Sequence, residues 1–235
     1  MMTCSDARGF AIALVLTFVV AASPGAVALG CVSTVDLGSH ASLTEGGAPA
    51  DASVPNPLVD ASSGGRVFFV TDGRYTGDLA AEGAAASGLA GADALCTREA
   101  VAAGLGGVFK AWLSTANENA RDRIAPVGPW HMVDGTVVFA SAAVDQPQNF
   151  PKYSAKGNDL FFDSFPNVWT GTTGAGRLDD GAHTCAGWTS ARASDVASYG
   201  ALTWTSAEWT DARMLDGTSE SSPCSDRLRL YCFAQ

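Results

Sequence analysis

Four cysteines in the C-terminal part of the chain constrain its fold more than any other sequence feature: Cys96, Cys185, Cys224 and Cys232. Cysteines form disulfides in exported proteins and stay reduced in the cytosol. An even set of four permits two bridges in any of three pairings, and spacing alone does not choose among them. A structural zinc site is not expected, because the four contain no close Cys-x-x-Cys pair.

The N-terminus indicates that the chain is exported. Arg8 precedes a 13-residue apolar run, residues 10–22, which is too short to cross about 30 Å of hydrocarbon as a helix. Ser23-Pro24-Gly25 interrupts this run, as a signal peptide does before its cleavage region. We therefore predict that residues 1–30 are a signal peptide and that the four cysteines reach an oxidising compartment.

Two cleavage sites fit this signal. Ala26-Val27-Ala28 has the small-x-small pattern of ordinary signal peptidase, which would release a soluble protein. Ala28-Leu29-Gly30-Cys31 resembles a bacterial lipobox, in which the cysteine becomes the lipidated first residue. Ordinary cleavage would leave Cys31 as an unpaired thiol, whereas lipidation uses it. The cysteine count therefore favours a cell-envelope lipoprotein, in the outer membrane or at the cell surface, over a secreted or periplasmic protein.

Residues 31–65 are predicted to be the lipidated cysteine and a flexible linker. The stretch after Cys31 is rich in Ser, Ala, Gly and Pro and contains no Phe, Trp or Tyr. Such a composition buries too little apolar area to offset the entropy of ordering the chain. The folded domain should therefore cover residues 66–235.

Charge argues against nucleic acid as a partner. The formal net charge of the chain is −10. Residues 66–235 contain 13 Lys and Arg against 19 Asp and Glu, which leaves this part at −6. A negative surface repels phosphate backbones, and the sequence contains no cluster of basic residues.

The first half of the predicted domain contains one clear helix. Residues 67–70 are β-rich and end at the turn signal Asp72-Gly73. A loop of small residues is predicted over 77–88. Residues 91–104 predict a helix that ends at Gly104. Its apolar face is formed by Ala92, Leu95, Cys96, Ala100 and Ala103.

The second half is predicted to consist of strands and long loops. Residues 108–113 predict a strand, and Asp134-Gly135 lies between two β-rich segments, which is a strong hairpin signal. Residues 228–233 predict a terminal strand. One main helix followed by strands and loops defines an α+β class. The loops contain four tryptophans, predicted to be core or loop anchors: Trp169, Trp188, Trp204 and Trp209.

Several blocks of this sequence resemble the endostatin-like branch of the C-type-lectin-like fold. The first is Gly91-Ala92-Asp93-Ala94-Leu95-Cys96, followed by Ala111-Trp112-Leu113-Ser114. The similarity resumes in the later blocks Val168-Trp169-Thr170-Gly171, Cys185 with Trp188, Cys224, and Leu230-Tyr231-Cys232. These blocks are similar to endostatin, the C-terminal domain of collagens XV and XVIII, and to bacterial lipoprotein domains of mostly unknown function.

The resemblance implies a fold with one main helix, antiparallel strands, long loops and two nested disulfides. These would be Cys96–Cys232 and Cys185–Cys224. It does not imply the ligands of endostatin. Residues 67–77, which match the zinc-binding region, contain no histidine, and Val101 occupies a helix position where endostatin has a heparin-binding arginine. Neither zinc nor heparin is therefore expected.

A calcium-dependent lectin is an alternative that the broader fold suggests. Gln146-Pro147-Gln148-Asn149 and Trp209-Thr210-Asp211 are faintly similar to lectin calcium loops, but the first contains no acid. Asp179-Asp180 could contribute carboxylates. Calcium requires six to eight oxygen ligands, and this set is incomplete, so an ordinary acidic loop is the expectation.

No catalytic motif stands out in the sequence. It contains no Gly-x-Ser-x-Gly, no His-Glu-x-x-His and no phosphate-binding loop. His131 and His183 are predicted to be structural or surface residues. We therefore expect a non-catalytic binding or adhesion module for a glycan or protein ligand, without a cofactor. A hydrolase of envelope polymers with unidentified acidic catalytic residues, or a purely structural protein, are the alternatives.

Overall fold

The computed structural model describes residues 66–235, so the predicted signal peptide, Cys31 and the linker lie outside the described residues. The described part is an α+β domain. Its helices are α1 (Leu79–Glu82), α2 (Gly88–Ala102) and α3 (Ala120–Arg123), with a 3-10 turn at Ala207–Trp209. Its strands are β1 (Arg66–Val70), β2 (Phe109–Ala111), β3 (Trp130–His131), β4 (Val137–Phe139), β5 (Asn167–Trp169), β6 (Val196–Ala201), β7 (Ser221–Pro223) and β8 (Tyr231–Ala234).

The strands form two sheets. The larger has the order β2-β8-β1-β3-β4, in which only the β1–β3 pair is parallel. The smaller is the antiparallel sheet β5-β6-β7. The C-terminal strand β8 thus lies between β1 and β2, which is why the two ends of the domain share one core.

Helix α2 begins three residues before the predicted start, because Ser87 caps it by accepting a hydrogen bond from the Ala90 amide at 3.3 Å. Gly104 follows the helix with a φ of 77°, the left-handed conformation that ends many helices. The predicted face is buried, with Ala103 only partly covered.

The edge of β2 is covered by polar side chains of α2. The Asp93 carboxylate accepts a hydrogen bond from the Ala111 amide at 2.9 Å, and the Thr97 hydroxyl accepts one from the Phe109 amide at 3.4 Å. Asp93 also forms two hydrogen bonds, of 2.6 and 2.8 Å, with the buried Arg123 of α3. Asp93 therefore connects α2 with the edge strand β2 and with α3.

The larger sheet is buried on both faces. Alternate residues of β1 point to opposite sides. Phe69 packs in the core under α2, and Phe68 packs in an aromatic core on the other face. That second core contains Trp112, Trp130, Trp209, Tyr231 and Phe233. Five of the six tryptophans are at most 1% exposed, which confirms most of them as core residues, whereas Trp204 is 52% exposed.

The structure contains the disulfides Cys96–Cys232 and Cys185–Cys224, so the pairing that the resemblance implied is confirmed. The outer bridge joins α2 to β8. The inner bridge joins two loops and lies beside the smaller sheet, because the Cys224 amide donates to Asp195, the residue before β6.

Most predicted elements lie where the sequence placed them, including the hairpin, which turns at Gly135 with a φ of 87°. The loop predicted over 77–88 is wrong at α1, since Asp78 caps a helical turn there through the Ala81 amide. Within residues 66–235, no helix is long and apolar enough to span a membrane.

Candidate functional site

A cleft of about 680 Å³ lies at the start of α2 and is larger than two further clefts of about 300 and 320 Å³. Its walls are the first turn of α2 (residues 87–89), the loop 115–118, and the residues Thr184, Ala186 and Gly187. The cleft is thus built from three segments that are distant in sequence. Its size is that of ordinary small-ligand sites.

One wall of the cleft has an unusual backbone. The four residues Cys185–Trp188 form a left-handed helical turn, with φ values of 49°, 56°, 71° and 67°. Three of them are not glycine, and left-handed backbone costs such residues about 1–2 kcal/mol each. Backbone strain of this kind is concentrated at binding and active sites.

The left-handed turn is held by its surroundings. Cys185 is fixed by its disulfide to Cys224, and the Trp188 indole nitrogen donates to the Ser114 carbonyl oxygen at 2.8 Å. Gly88 packs directly on the turn. A Cβ at that position would lie 2.3 Å from the Gly187 carbonyl oxygen. The first turn of α2 and the left-handed turn therefore form one packed wall.

The side chains that line the cleft are mostly neutral and polar. Ser87, Thr115 and Thr184 present hydroxyls and Asn117 an amide, and Leu89 supplies apolar area. Glu118 is the one acid among them, and its carboxylate lies 3.2 Å from Arg123. Such groups suit a ligand with hydroxyl or amide groups and little net charge.

His183 lies just before the left-handed turn and is paired with Asp179. The His183 Nδ1 atom is 2.7 Å from the Asp179 carboxylate, although the geometry is not that of a good hydrogen bond. The Ser198 hydroxyl donates to the same carboxylate at 3.1 Å. Because this hydroxyl bonds to Asp179 and not to the imidazole, the three side chains do not form a nucleophile–base relay.

Two of the three lectin-like acidic residues, Asp211 and Asp179, are buried and accept intramolecular hydrogen bonds. The buried Asp211 carboxylate accepts hydrogen bonds from the Gly174 amide at 3.0 Å and the Ser219 hydroxyl at 2.8 Å, and it pairs with Arg213. Asp179 is buried and Asp180 is exposed. Among residues 66–235, no group of three or more His, Cys, Asp or Glu side chains is arranged to hold a metal ion.

Tertiary folding does bring the two lectin-like segments together. The Trp209 indole nitrogen donates to the Asp145 carbonyl oxygen at 2.7 Å, next to the Gln146–Asn149 tetrapeptide. The Asn149 side chain donates to the Val137 carbonyl oxygen at 2.9 Å. Both segments thus have structural contacts in this domain. His131 belongs to β3 and pairs with Val67 of β1.

A second feature is a group of phenylalanines, here called the phenylalanine surface: the exposed Phe150, Phe162 and Phe165, with the half-buried Phe161. Phe162 is 89% exposed and Phe165 62%. The Phe161 ring contacts those of Phe150 and Phe162, at centroid distances of 4.9 and 5.0 Å. Our sequence reasoning missed this surface, although four phenylalanines without strand periodicity in a loop-rich segment were a visible signal.

The geometry defines the class of the protein as an α+β domain with two nested disulfides and a polar cleft. The sequence did not predict that loop 115–118 lines a cleft, because another wall of that cleft is the Cys185–Trp188 turn, which is distant in sequence. A comparison with protein-family models finds no match for this chain. A comparison with curated proteins finds no match either.

Proposed function

We propose that the protein is a lipoprotein of the cell envelope, anchored through Cys31, that displays a non-catalytic binding module with an endostatin-like, C-type-lectin-like fold. Its ligand is a glycan or a protein segment, bound in the cleft beside α2. The localisation is the outer membrane or the cell surface. The fold proposal is supported by the main helix, which a disulfide joins to the last strand, and by the inner disulfide nested within that loop.

The observation that carries the ligand site is the left-handed turn in the cleft wall. Non-glycine residues adopt this conformation only where the surrounding structure enforces it. Here a disulfide, a buried indole and close packing on Gly88 enforce it. The result is a preformed cleft, and preformed sites lose less entropy on binding.

The chemistry of the cleft supports a hydroxyl-rich or amide-rich ligand. The Ser87 and Thr115 hydroxyls each accept from a backbone amide and can donate to a ligand, and the Asn117 side chain can donate and accept. The single carboxylate, Glu118, can accept from hydroxyl groups while it remains paired with Arg123. Sugar rings and extended peptide segments have these complementary groups.

A ligand screen with a cleft-blocking variant tests the proposal. The purified protein is assayed against glycans, matrix proteins and peptidoglycan fragments for both binding and turnover. Ala116 is exposed in the cleft, so Ala116→Trp should fill it without disturbing the core. We expect saturable binding without turnover, weakened at least about tenfold by Ala116→Trp.

The matched control is Ala140→Trp, which changes an exposed alanine just after β4 and outside the cleft. It should bind like the unchanged protein. Turnover of a fragment would instead establish a hydrolase. Binding that Ala116→Trp leaves intact would place the ligand elsewhere on the domain.

A further inference from the structure

A partly buried ion-pair network anchors the loop that carries Phe162 and Phe165. The Asp163 carboxylate pairs with both Arg74 and Arg229, whose side chains are 31% and 6% exposed. Arg229 also donates to the Thr71 carbonyl oxygen at 2.6 Å, which ties the network to the end of β1. The loop is thus anchored at Asp163, between the exposed rings of Phe162 and Phe165.

Cationic side chains accompany these rings. The Arg74 guanidinium lies 5.1 Å from the centre of the Phe165 ring, and the Lys152 ammonium 5.9 Å from that of Phe161. Lys156 is exposed in the same segment. Two acids, Asp159 and Asp163, are present as well, and each is paired with one of these cations or with Arg229. Asp72 and Glu99 line a cleft together with Lys156 and Arg98, so the charges of this region nearly balance, on a domain whose net charge is −6.

Trp204 is another exposed aromatic residue, on the loop that follows β6. The Leu202 amide donates to the Pro166 carbonyl oxygen at 3.0 Å, which places the loop after β6 beside the residue that follows Phe165. Trp204, two residues later, is 52% exposed. Tryptophan and phenylalanine together with Lys and Arg are the residues that insert at the boundary between lipid headgroups and acyl chains.

From these observations we propose that the phenylalanine surface and Trp204 dock on an anionic lipid surface. A glycan needs hydrogen-bonding partners, but phenylalanine has none and the neighbouring carboxylates are already paired. A protein partner would need pockets for protruding rings. A lipid layer deforms around such rings, and its anionic headgroups can contact the exposed Lys156 and the accessible sides of Arg74 and Lys152, whose side chains are 31% and 27% exposed.

The proposed anchor supports this occupant. If Cys31 is lipidated, the 34 residues 32–65 separate the bilayer from β1. A flexible linker of that length, as the composition predicts, would have an average span of about 30 Å and would keep the domain at a high local concentration near the membrane. The support from the lipid anchor rests on the proposed function, whereas the contact of the phenylalanine surface with a membrane does not require the anchor.

The test uses the unlipidated mature chain, Cys31→Ser, and vesicles of equal parts phosphatidylcholine and phosphatidylglycerol. Co-sedimentation measures partition, and the emission of Trp204 reports insertion, because the other five tryptophans are already buried. We expect partition into the vesicles with a blue shift that Trp204→Phe abolishes. Phe162→Ser with Phe165→Ser should lower the partition coefficient at least about tenfold.

The control is Val108→Ser, which removes another exposed apolar side chain, 61% exposed, next to the edge strand β2 and outside the phenylalanine surface. It should partition like the unchanged chain, and the thermal unfolding of all variants should be similar. No partition of the unchanged chain, or equal partition of the double variant, would overturn the proposal. Either result would leave the proposed function untouched, because that function is tested by the ligand binding of Ala116→Trp and by the acylation of Cys31.

Discussion

Asp163 shows how one side chain determines the position of a whole loop. Burial of its carboxyl group raises the pKa, but hydrogen bonds from Arg229, the Phe165 amide and Arg74 outweigh this effect. The pKa of Asp163 therefore falls from the ordinary value of 3.8 to about 2. Because the pKa of Asp163 is lower in the folded than in the unfolded protein, the ionised carboxylate stabilises the fold above about pH 4. This stabilisation is lost as the pH falls through 2.

We predict that Asp163→Asn lowers the free energy of unfolding by about 3 kcal/mol at pH 7, because the buried Arg229 loses its partner. The difference from the unchanged protein should narrow toward pH 2, where the unchanged protein protonates Asp163. Urea unfolding at several pH values measures both. Asp122→Asn, an exposed acid, should change stability by less than about 0.5 kcal/mol. A pH-independent difference would contradict the pKa assignment.

Gly91 is required by packing rather than by backbone conformation. A Cβ at this helical position would lie 2.0 Å from the Leu79 carbonyl oxygen, where α1 crosses α2. Alanine normally favours a helix over glycine by about 1 kcal/mol. We nevertheless predict that Gly91→Ala destabilises the domain by about 2 kcal/mol, because two backbones must separate.

Gly106→Ala is the matched control for this change, since a Cβ at Gly106 would meet no atom within 4 Å. It should leave the melting temperature unchanged or slightly raised. A Gly91→Ala variant more stable than the unchanged protein would contradict the close approach of α1 and α2.

At the scale of the elements, the two disulfides stabilise different parts of the domain. Chain-entropy estimates for their sequence separations of 136 and 39 residues are about 5 and 4 kcal/mol at most. We predict that Cys185→Ser with Cys224→Ser releases the left-handed turn and loosens the cleft, while α2 and the larger sheet stay folded. Cys96→Ser with Cys232→Ser should destabilise the whole domain, because that bridge joins α2 to β8.

Hydrogen exchange of the two double variants, followed by peptide, separates these outcomes. The inner variant should exchange faster near Cys185–Trp188 and lose ligand binding in the cleft. Non-reducing peptide mapping of the unchanged protein provides the reference and should yield both bridges without a free thiol in the domain. Uniformly faster exchange in the inner variant would show that the two sheets unfold as one unit.

For the whole molecule, the main prediction concerns the anchor. The mature chain should begin at Cys31, carry acyl groups and partition into detergent, because each buried methylene contributes about 0.8 kcal/mol. Mass spectrometry of the native N-terminus measures this. Cys31→Ser should abolish the acyl mass and leave the folded domain unchanged. A mature, unacylated start at Leu29 would contradict the prediction and indicate an exported soluble protein.

Local patterns in the sequence were sufficient for the α+β class, helix α2, strand β1 and the hairpin at Gly135. Each depends on residues that are close in sequence, through apolar periodicity or turn chemistry. The even number of cysteines indicated two bridges, and the resemblance of several blocks to endostatin supplied their pairing. The short helix α1 was missed because its capping by Asp78 gives only a weak signal in a stretch of small residues.

Only the tertiary structure decided which side chains are buried and which surfaces can bind. Asp93 gave no sign in the sequence that it would pair with Arg123, 30 residues away. The cleft exists because loop 115–118 meets the left-handed turn at Cys185–Trp188, whose φ values are enforced by distant partners. The exposure of Phe162 and the burial of Trp209 likewise follow from long-range contacts, which short-range sequence patterns do not record.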